Sequence, residues 1–347
     1  MESMEIKKVL VTGCDGYIGN VLCCELLRQK YKVTGLDTFF YKKGLKKKDK
    51  KLGYKIINQD IRKLGLLDLS RYDAIIHLAA LSNDPIGELN PRLTEEINYR
   101  ATIKLAKKAK KQGVRRFLFS SSCSIYGIAK KPIVSELSSV NPLTEYARSK
   151  IKAEKELKKL ASKDFCVSIL RNSTVYGYSQ KFRDDLVVNN LVACALTTGE
   201  IRIMSDGTPW RPLIDVRDLS NIFIAFLKAD IKKINGRIIN IGFNKNNYRV
   251  KDIVRLIQKE LPYCKVVFTG EHGKDSRSYR VNFNKFNKIF SKIKQKWPLH
   301  KSIKDLIYNL KRNKYSLVDF SKHRYSRLVV LKELITLNKV DKILYWK

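Results

Sequence analysis

The first two-fifths of the chain alternates short apolar segments with amphipathic helical patterns, and this alternation constrains the fold more than any other feature. Such an order predicts a parallel sheet whose strands are joined by crossover helices. The expected strands are rich in Val, Ile, Leu or Phe without polar alternation, as in strands covered on both faces. They span residues 6–12, 31–36, 54–58, 74–78 and 117–120.

One long helix is expected between the fourth and fifth of these strands. Asn90 is its predicted N-cap, Pro91 occupies the first helical position, and Gly113 closes the other end. Apolar residues recur along one face at intervals of four, at Leu93, Ile97, Ala101, Leu105 and Ala109. The spacing predicts an uninterrupted helix over this stretch.

The remaining patterns predict a second, smaller domain and a helical extension. We expect a Rossmann-type doubly wound α/β domain over residues 1–175, joined by residues 213–243, and a mixed α/β substrate domain over 176–212 and 244–300. Residues 301–347 are expected to form two further helices, the second with Leu328, Leu331, Leu334 and Ile335 on its apolar face. This extension covers the substrate domain or extends a dimer interface.

Charge and cysteine usage narrow the class of protein. The chain has 347 residues, 70 Lys+Arg and 33 Asp+Glu, so its formal net charge is +37 at pH 7. Such an excess suits a nucleic-acid binder, a membrane-surface protein or a protein that handles anionic small molecules. We favour the third class, because the basic residues are spread over expected helix surfaces without interleaved aromatic stacking platforms. No signal peptide, membrane span or CxxC pair is evident, so a cytoplasmic location without nucleic-acid or membrane partners is expected.

A glycine-rich turn follows the first strand directly. Residues 12–19 read TGCDGYIG and open the first helix, so that glycine backbone and helix N–H groups can approach a pyrophosphate. Asp37 ends the second strand, where a carboxylate binds adenosine ribose hydroxyls and repels a 2′-phosphate. The turn therefore predicts NAD in preference to NADP. A lysine cluster just downstream is either a phosphate clamp or a solvated loop, and it comprises Lys42, Lys43, Lys46, Lys47 and Lys48.

A second motif carries acid–base chemistry. Tyr146 and Lys150 are four residues apart in an expected helix and so share one face. A nearby ammonium favours the phenolate of tyrosine and makes it a general base. The fifth strand runs into a serine-rich stretch, residues 120–124, at the sheet edge where ligands bind in open α/β folds.

Taken together, these residues resemble the extended short-chain dehydrogenase/reductases that act on nucleotide sugars. The resemblance runs to about residue 300 and rests on the glycine turn, Asp60-Ile61, the HLAA segment at 77–80, Asn98, the serine run, the YxxxK motif, Arg171-Asn172 and the RPLIDV stretch at 211–216. It implies an NAD-dependent enzyme and, as in many family members, a homodimer formed through the helices that bear Tyr146 and begin at Asn90.

The resemblance also implies a role for each site residue. NAD is expected to contact Gly13, Asp15, Gly16, Tyr17, Ile18, Gly19, Asp37, Asp60, Ile61, Leu78, Ala79, Ala80, Asn98, Ser120, Tyr146 and Lys150. Tyr146 is expected to act as the base, Ser122 to hydrogen-bond the reacting sugar oxygen, and Lys150 to hold the nicotinamide ribose. The nucleotide sugar is further expected to contact Ser82, Asn172, Asn190, Leu191, Arg211 and either Arg277 or Arg280. His77 and Cys123 are interpreted as packed residues.

The residues after Ser122 bear on the type of reaction. In the 4,6-dehydratases of this family an Asp-Glu pair follows the hydroxyl and removes water, whereas Cys123 and Ser124 stand here. The stretch is more similar to UDP-glucose 4-epimerases, which implies epimerisation through a 4-keto intermediate with hydride transfer to and from bound NAD. Within the family, the alternatives are a reductase or dehydrogenase that releases its cofactor and a 4,6-dehydratase. Outside it, the alternative is an RNA- or membrane-associated binding protein.

Overall fold

Seven parallel strands form the central sheet of the molecule. The computed structural model describes residues 5–41, 44–45, 53–82, 84–129, 131–270 and 278–347. Its strands are β1 Lys8–Thr12, β2 Lys32–Asp37, β3 Lys55–Asn58, β4 Ala74–His77, β5 Arg116–Ser122, β6 Ile133–Val134, β7 Cys166–Asn172, β8 Thr174–Tyr176, β9 Glu200–Ile203, β10 Trp210–Asp215, β11 Arg237–Ile241, β12 Asn247–Arg249, β13 Lys265–Phe268 and β14 Arg280–Val281. The central sheet has the order β11-β7-β5-β4-β1-β2-β3, and its neighbours pair in parallel. The predicted fold class is confirmed.

Helices cover both faces of this sheet. They are α1 Tyr17–Arg28, α2 Asp84–Leu89, α3 Pro91–Glu95, α4 Thr102–Lys111, α5 Glu145–Leu160, α6 Val187–Thr198, α7 Val216–Lys228, α8 Ile231–Ile234, α9 Val250–Glu260, α10 Asn284–Ile289, α11 Leu299–Arg312, α12 Leu317–Ser321 and α13 Arg327–Thr336. One face packs on α3, α4 and α5 through an apolar cluster that includes Leu105, Phe117 and Leu157. The other face packs on α1 and α7 through a second cluster that includes Leu22 and Phe223.

The strand order reverses between β1 and β4, and this reversal locates the ligand crevice. Strands β2 and β3 lie on one side of β1, while β4, β5, β7 and β11 extend on the other. In open α/β sheets ligands bind beyond the carboxyl ends of the strands at such a switch point. The first turn after β1 therefore opens onto the crevice.

Small sheets and helices form the remaining part of the fold. A three-stranded sheet has the order β12-β10-β8, and β13 pairs with β9 while β14 pairs with β6. Helices α6, α9 and α11 pack around a third apolar cluster that includes Leu191, Ile253 and Leu306. The exact division into domains stays a prediction.

The C-terminal region contains three helices, so the prediction of two was wrong. The short α12 precedes α13 and is capped by Ser316, a local signal that apolar periodicity alone does not reveal. Helix α11 packs against α6 and α9 in the third apolar cluster. Tyr325 and the half-buried Tyr315 and Phe320 stay in the third apolar cluster, whereas Leu331 and Leu344 belong to the apolar cluster of the central sheet, so the chain returns to that sheet from α13 onward.

Two other local predictions need correction. Strand β3 was expected to be covered on both faces, but it is the edge strand and Ile56 is 40% exposed. The helix expected from Pro91 is interrupted by a π-helical turn at Glu96–Ala101, although Asn90 does cap it by accepting a hydrogen bond from Leu93 N–H. A single wide turn leaves the apolar spacing nearly intact, so the sequence pattern does not show it.

Candidate functional site

The glycine-rich turn after β1 lies at the switch point and fits a dinucleotide. Gly13 has φ +76°, and a Cβ there would lie 2.8 Å from the backbone nitrogen of Ala79. A Cβ on Gly19 would collide with the Gly13 carbonyl oxygen. Helix α1 begins at Tyr17 after the N-cap Gly16, which provides no side-chain cap, so its first N–H groups are available to an anion.

Asp37 closes one side of this turn. Its Oδ2 accepts a hydrogen bond from the Asp15 N–H at 2.9 Å, and its Oδ1 accepts one from the Phe39 N–H at 2.9 Å. Burial raises the pKa of Asp37, while these N–H donors favour the carboxylate. The predicted lysine cluster at 42, 43 and 46–48 lies outside the described residues.

The other predicted cofactor residues follow the ends of neighbouring strands. Asp60 follows β3 and its carboxylate pairs with Arg62 at 2.7 Å, while Ile61 beside it is only 4% exposed. Leu78, Ala79 and Ala80 follow β4 and are half-buried, and the Ala79 N–H reaches Thr12 Oγ1 at 3.4 Å.

Asn98 lies in the π-helical turn, and its side chain is fully engaged inside the protein. Its Oδ1 accepts from the Leu81 N–H at 2.8 Å, and its Nδ2 donates to the Leu81 carbonyl at 3.1 Å and to Ser149 Oγ at 3.3 Å. These bonds tie the loop after β4 to α5. The structure thus places Asn98 between the loop after β4 and α5, two segments that are expected to line the cofactor.

Tyr146 and Lys150 lie on α5 at the same edge. Thr144 caps this helix, which starts at Glu145 and places Lys150 Nζ 5.7 Å from the centroid of the Tyr146 ring. Lys150 is 3% exposed, donates to the Ser120 carbonyl at 2.8 Å, and lies over the Phe119 ring. Burial lowers the pKa of Lys150 to about 7, because water no longer stabilises its charge. Gly87 of α2 contributes to this arrangement, since a Cβ there would lie 3.0 Å from Tyr146 N.

Ser122 and its neighbours supply polar groups opposite α5. Ser122 pairs in register with Asn172 of the adjacent strand, and its Oγ accepts from the Ser124 N–H at 3.1 Å. Asn172 Nδ2 donates to Ser120 Oγ at 2.9 Å. Among the described residues, Asn172 Oδ1 and Ser124 Oγ are buried without a hydrogen-bond partner. Orphaned polar atoms at the end of parallel strands fit a polar ligand in the crevice.

A buried ion pair between β7 and α5 lies next to the serine-rich end of β5. Arg171 Nη2 lies 2.7 Å from Glu154 Oε2, and their side chains are 6% and 2% exposed. Ser121 Oγ donates to Glu154 at 2.5 Å, and Cys123 Sγ to the Arg171 carbonyl at 3.2 Å. Cys123 is 1% exposed and burial raises its thiol pKa, in agreement with a packed residue. His77 is equally packed between Thr12 and Thr102 hydroxyls, and burial lowers its pKa to about 3.

The predicted substrate residues are less closely grouped. Ser82 lies just before α2, which begins at Asp84, and its Oγ accepts a hydrogen bond from Arg183 at 3.3 Å. Asn190 Nδ2 donates to the Asp184 carbonyl at 2.8 Å, and Leu191 is in the apolar core. Asn83 and Arg277 lie outside the described residues.

Two arginines flank Trp210 at the other side of the crevice. Arg211 donates to the Trp210 carbonyl at 3.0 Å, and the guanidinium of Arg280 lies 5.1 Å from the centroid of the Trp210 rings. Both residues are half-buried. Of the two arginines considered on β14 and before it, Arg280 is thus the one with a described position.

Sequence reasoning missed the cations that surround the glycine turn. Lys181 pairs with Asp15 at 2.7 Å and Arg183 with Asp185 at 2.6 Å. Arg327 joins them from α13 and donates to the Lys181 carbonyl at 3.0 Å. No local motif marks these three residues, since they meet only through the tertiary fold.

Comparisons with known proteins agree with this geometry. The model of the NAD dependent epimerase/dehydratase family matches residues 9–242. An uncharacterized UDP-glucose epimerase of Bacillus subtilis is 30% identical over 72% of this chain and 81% of its own length. UDP-glucose 4-epimerase 1 of Oryza sativa is 27% identical over 91% of this chain and 98% of its own. The structure of UDP-glucuronic acid 4-epimerase from Bacillus cereus with UDP-glucuronic acid and NAD superposes with a TM-score of 0.75 at 26% identity, covering 88% of this chain and 99% of that chain.

Proposed function

Since this chain belongs to the NAD-dependent epimerase/dehydratase family, we propose that it epimerises a UDP-hexose at C4 through a 4-keto intermediate. One observation carries the proposal most directly. The glycine turn with Asp37 and the Tyr146–Lys150 pair lie along the same carboxyl edge of the central sheet. A dinucleotide held by the first reaches a sugar held at the second.

NAD is the proposed cofactor, and this chain offers residues for each of its parts. The glycine turn and the start of α1 hold the diphosphate, Asp37 the adenosine ribose, and Lys150 the nicotinamide ribose. Bound at these residues, NAD would supply reversible hydride transfer with the sugar C4 and would be regenerated in each turnover. The residues of this chain bind the reactants and handle the protons.

Tyr146 is the proposed proton acceptor. Its phenolate oxygen removes the proton of the sugar 4-hydroxyl and returns it when the carbonyl is reduced. The buried ammonium of Lys150 stabilises negative charge on that oxygen, since no water screens the two groups. Ser122 accepts a hydrogen bond from Ser124 N–H, so its own hydroxyl proton can be donated to the reacting sugar oxygen.

The nucleotide part of the substrate is proposed to lie toward the smaller sheets. Guanidinium groups bind a diphosphate with two parallel hydrogen bonds, and Arg211 and Arg280 flank Trp210 there. Ser82, Asn172, Asn190 and the backbone around Leu191 complete the proposed substrate contacts.

The environment of Cys123 supports epimerisation over dehydration. Elimination of water from C5 and C6 needs an acid and a base next to Ser122. Cys123 is buried with a raised thiol pKa, and Ser124 is an uncharged hydroxyl. Neither residue can exchange protons as a carboxylate pair does.

An assay without added cofactor tests the proposal. The purified protein is incubated with UDP-glucose, UDP-galactose, UDP-glucuronate or UDP-N-acetylglucosamine, and the products are resolved by chromatography and proton NMR. Interconversion of one 4-epimer pair without net reduction of NAD is expected. A requirement for stoichiometric NAD or NADH would instead identify a dehydrogenase or reductase, and loss of water from the sugar would identify a dehydratase.

The proposed assembly is a cytoplasmic homodimer that binds neither nucleic acid nor membranes. All seven cysteines carry free thiols, which suits a reducing compartment. Within the described part of the chain, no helix has the length and apolar character needed to cross a bilayer. The dimer contact is proposed on α5 and the helix that starts at Pro91. Light scattering coupled to size-exclusion chromatography tests it, and a monomeric mass would exclude it.

A further inference from the structure

The segment 313–347, called here the C-terminal segment, reaches the adenosine end of the crevice. Trp346 Nε1 donates to the Thr38 carbonyl at 2.6 Å, one residue after Asp37. Arg62 Nη1 donates to the Ile343 carbonyl at 2.7 Å, two residues after Asp60. Leu331 and Leu344, at 0% and 2% exposure, anchor the segment in the apolar cluster of the central sheet. This segment therefore walls the loops after β2 and β3.

Arg327 is the buried cation of this wall. Its side chain is 3% exposed, and its guanidinium lies 4.2 Å from the centroid of the Tyr41 ring. In the described ranges it makes one hydrogen bond, from Nη2 to the Lys181 carbonyl, and no carboxylate forms an ion pair with it. An arginine has five N–H donors, so most of its hydrogen-bonding capacity is unused by these partners.

Its cationic neighbours have carboxylate partners. Lys181 pairs with Asp15 and Arg183 pairs with Asp185. A buried cation without a counterion is costly, because desolvation is not offset by an opposite charge. Among the described residues, the nearby carboxylates of Asp15 and Asp185 are each paired with another cation, so Arg327 remains able to bind an added anion.

The glycine turn is next to this cation. The Lys181 residue that accepts from Arg327 also contacts Asp15 inside the turn, and Asp15 N–H in turn donates to Asp37. Burial raises the pKa of Asp15 to about 6, and the positive charges of Lys181 and Arg327 oppose that rise. Arg327 also favours the ionised form of Asp37. Arg327 is thus linked through Lys181 to Asp15 in the turn that precedes α1.

We propose that Arg327 binds the diphosphate of the dinucleotide and that the C-terminal segment closes the adenosine end of its site. The inference rests on the proposed function for the presence of NAD. A guanidinium suits this role, since its planar fork bonds two phosphate oxygens while the helix N–H groups bond others. The diphosphate of the nucleotide sugar has the same chemistry, and the experiment separates the two sources.

The test compares Arg327→Gln with Arg324→Gln in the full chain after bound nucleotide has been removed. Arg324 is the matched control, because it lies in the same segment but is half-exposed and paired with Asp319 at 2.7 Å. Titration calorimetry gives the dissociation constants for NAD, ADP-ribose, adenosine and UDP. We expect Arg327→Gln to weaken NAD and ADP-ribose by about tenfold or more, and to leave adenosine and UDP within about twofold. Arg324→Gln should match the unmodified protein for all four ligands.

Other outcomes overturn the inference. An equal loss of affinity for adenosine and NAD would mean that Arg327 only maintains the structure of the C-terminal segment. A selective loss of affinity for UDP would assign Arg327 to the substrate site. Unchanged affinity for NAD and UDP would exclude Arg327 from the cofactor site and the substrate site. If the unmodified protein binds UDP but no NAD, the proposed function fails instead.

Melting temperature and the lysine variant cover the case of a folding defect. A ligand role predicts that Arg327→Gln leaves the melting temperature of the nucleotide-free protein unchanged or higher, because an unpaired buried charge is removed. It also predicts a smaller upward shift on adding NAD. Arg327→Lys keeps the positive charge but lacks the planar guanidinium. Its NAD affinity should lie between that of the unmodified protein and that of Arg327→Gln. A lower melting temperature together with a normal NAD-induced shift would contradict the inference.

Discussion

At the catalytic end of the crevice, Lys150 hydrogen-bonds the Ser120 carbonyl 30 residues away, whereas at the adenosine end Arg62 hydrogen-bonds the Ile343 carbonyl 281 residues away. The catalytic end thus depends on β5 and α5, which lie close together in the chain. There Arg171 pairs with Glu154, and the buried ammonium of Lys150 is hydrogen-bonded to the Ser120 carbonyl. The adenosine end is built from the loops after β2 and β3 together with the C-terminal segment, which are far apart in the sequence. It contains Arg327, which has no carboxylate partner among the described residues.

This difference separates chemistry from cofactor retention. Changes at Tyr146 or Glu154, at the catalytic end, should affect turnover or overall stability while NAD affinity is preserved. Changes at the adenosine end should affect NAD affinity while turnover at saturating NAD is preserved. Four substitutions, ordered by the size of the expected effect, test whether the two ends act independently.

Tyr146→Phe removes the proposed proton acceptor and should have the largest effect. We expect kcat to fall by about 10²- to 10⁴-fold, as for the loss of a general base. The dissociation constant for NAD should stay within about twofold. Tyr263→Phe is the control, since Tyr263 is 64% exposed. A parallel loss of NAD affinity in Tyr146→Phe would show that the two ends are coupled.

Glu154→Gln leaves the Arg171 guanidinium buried without its counterion. The free energy of unfolding should fall by about 3–5 kcal/mol, as when one partner of a buried pair is removed. Urea denaturation measures the change. Glu156→Gln on the same helix is the control, because its pair with Lys159 is exposed and screened by solvent and should contribute little to stability. Similar losses in both variants would mean that burial does not determine the strength of this pair.

Trp346→Ala tests the adenosine end. The variant loses the indole hydrogen bond to Thr38 and the contact with the Phe40 ring at 5.6 Å between centroids. We expect NAD affinity to fall by about five- to tenfold, the equivalent of roughly 1–1.5 kcal/mol, with kcat unchanged at saturating NAD. Tyr308→Ala, which removes a ring that is 61% exposed on α11, should change neither value. An effect of Trp346→Ala on kcat alone would contradict the division between the two ends.

Lys150→Met should produce a smaller effect, visible as a pH dependence of stability. Burial lowers the pKa of Lys150 to about 7 in the folded protein, against about 10.5 in the unfolded chain. The unfolded state therefore binds more protons between these values, and the stability of the unmodified protein rises with pH in that window. The stability of Lys150→Met relative to the unmodified protein should be highest below pH 7 and decline toward pH 10.

Thermal unfolding of the nucleotide-free proteins between pH 7 and pH 10 measures this difference in stability. In Lys150→Met the Ser120 carbonyl loses its hydrogen-bond donor at every pH. This loss adds a constant to the difference in stability, so only the change of that difference with pH reports on Lys150. A difference in stability that does not change between pH 7 and pH 10 would show that Lys150 stays charged over this range in the folded protein.

The sequence predicts the catalytic end well because its signals are local. The strands that end at Thr12 and Ser122, the helix that carries Tyr146 and the cap at Asn90 each depend on neighbouring residues. The family resemblance is confirmed by the match over residues 9–242. The assigned roles of individual site residues stay predictions.

What the sequence does not predict depends on contacts between distant segments. Asn98 is used by the Leu81 backbone and Ser149 because a π-helical turn rotates it there, and no apolar spacing reveals that turn. The wall formed by Trp346 and the cluster around Arg327 depend on how the C-terminal segment returns to the central sheet. Such a return is determined by burial over the whole molecule and has no short signature.

The bond between Arg62 and Ile343 also has a consequence for the order of synthesis. The two residues are 281 positions apart, so at 5–20 residues per second Ile343 is made about 15–55 s after Arg62. The strands of the first domain and the Tyr146 helix can pair during that interval, while the loops after β2 and β3 still lack their outer wall. A nascent chain would therefore acquire its catalytic corner early and the ability to retain a dinucleotide late.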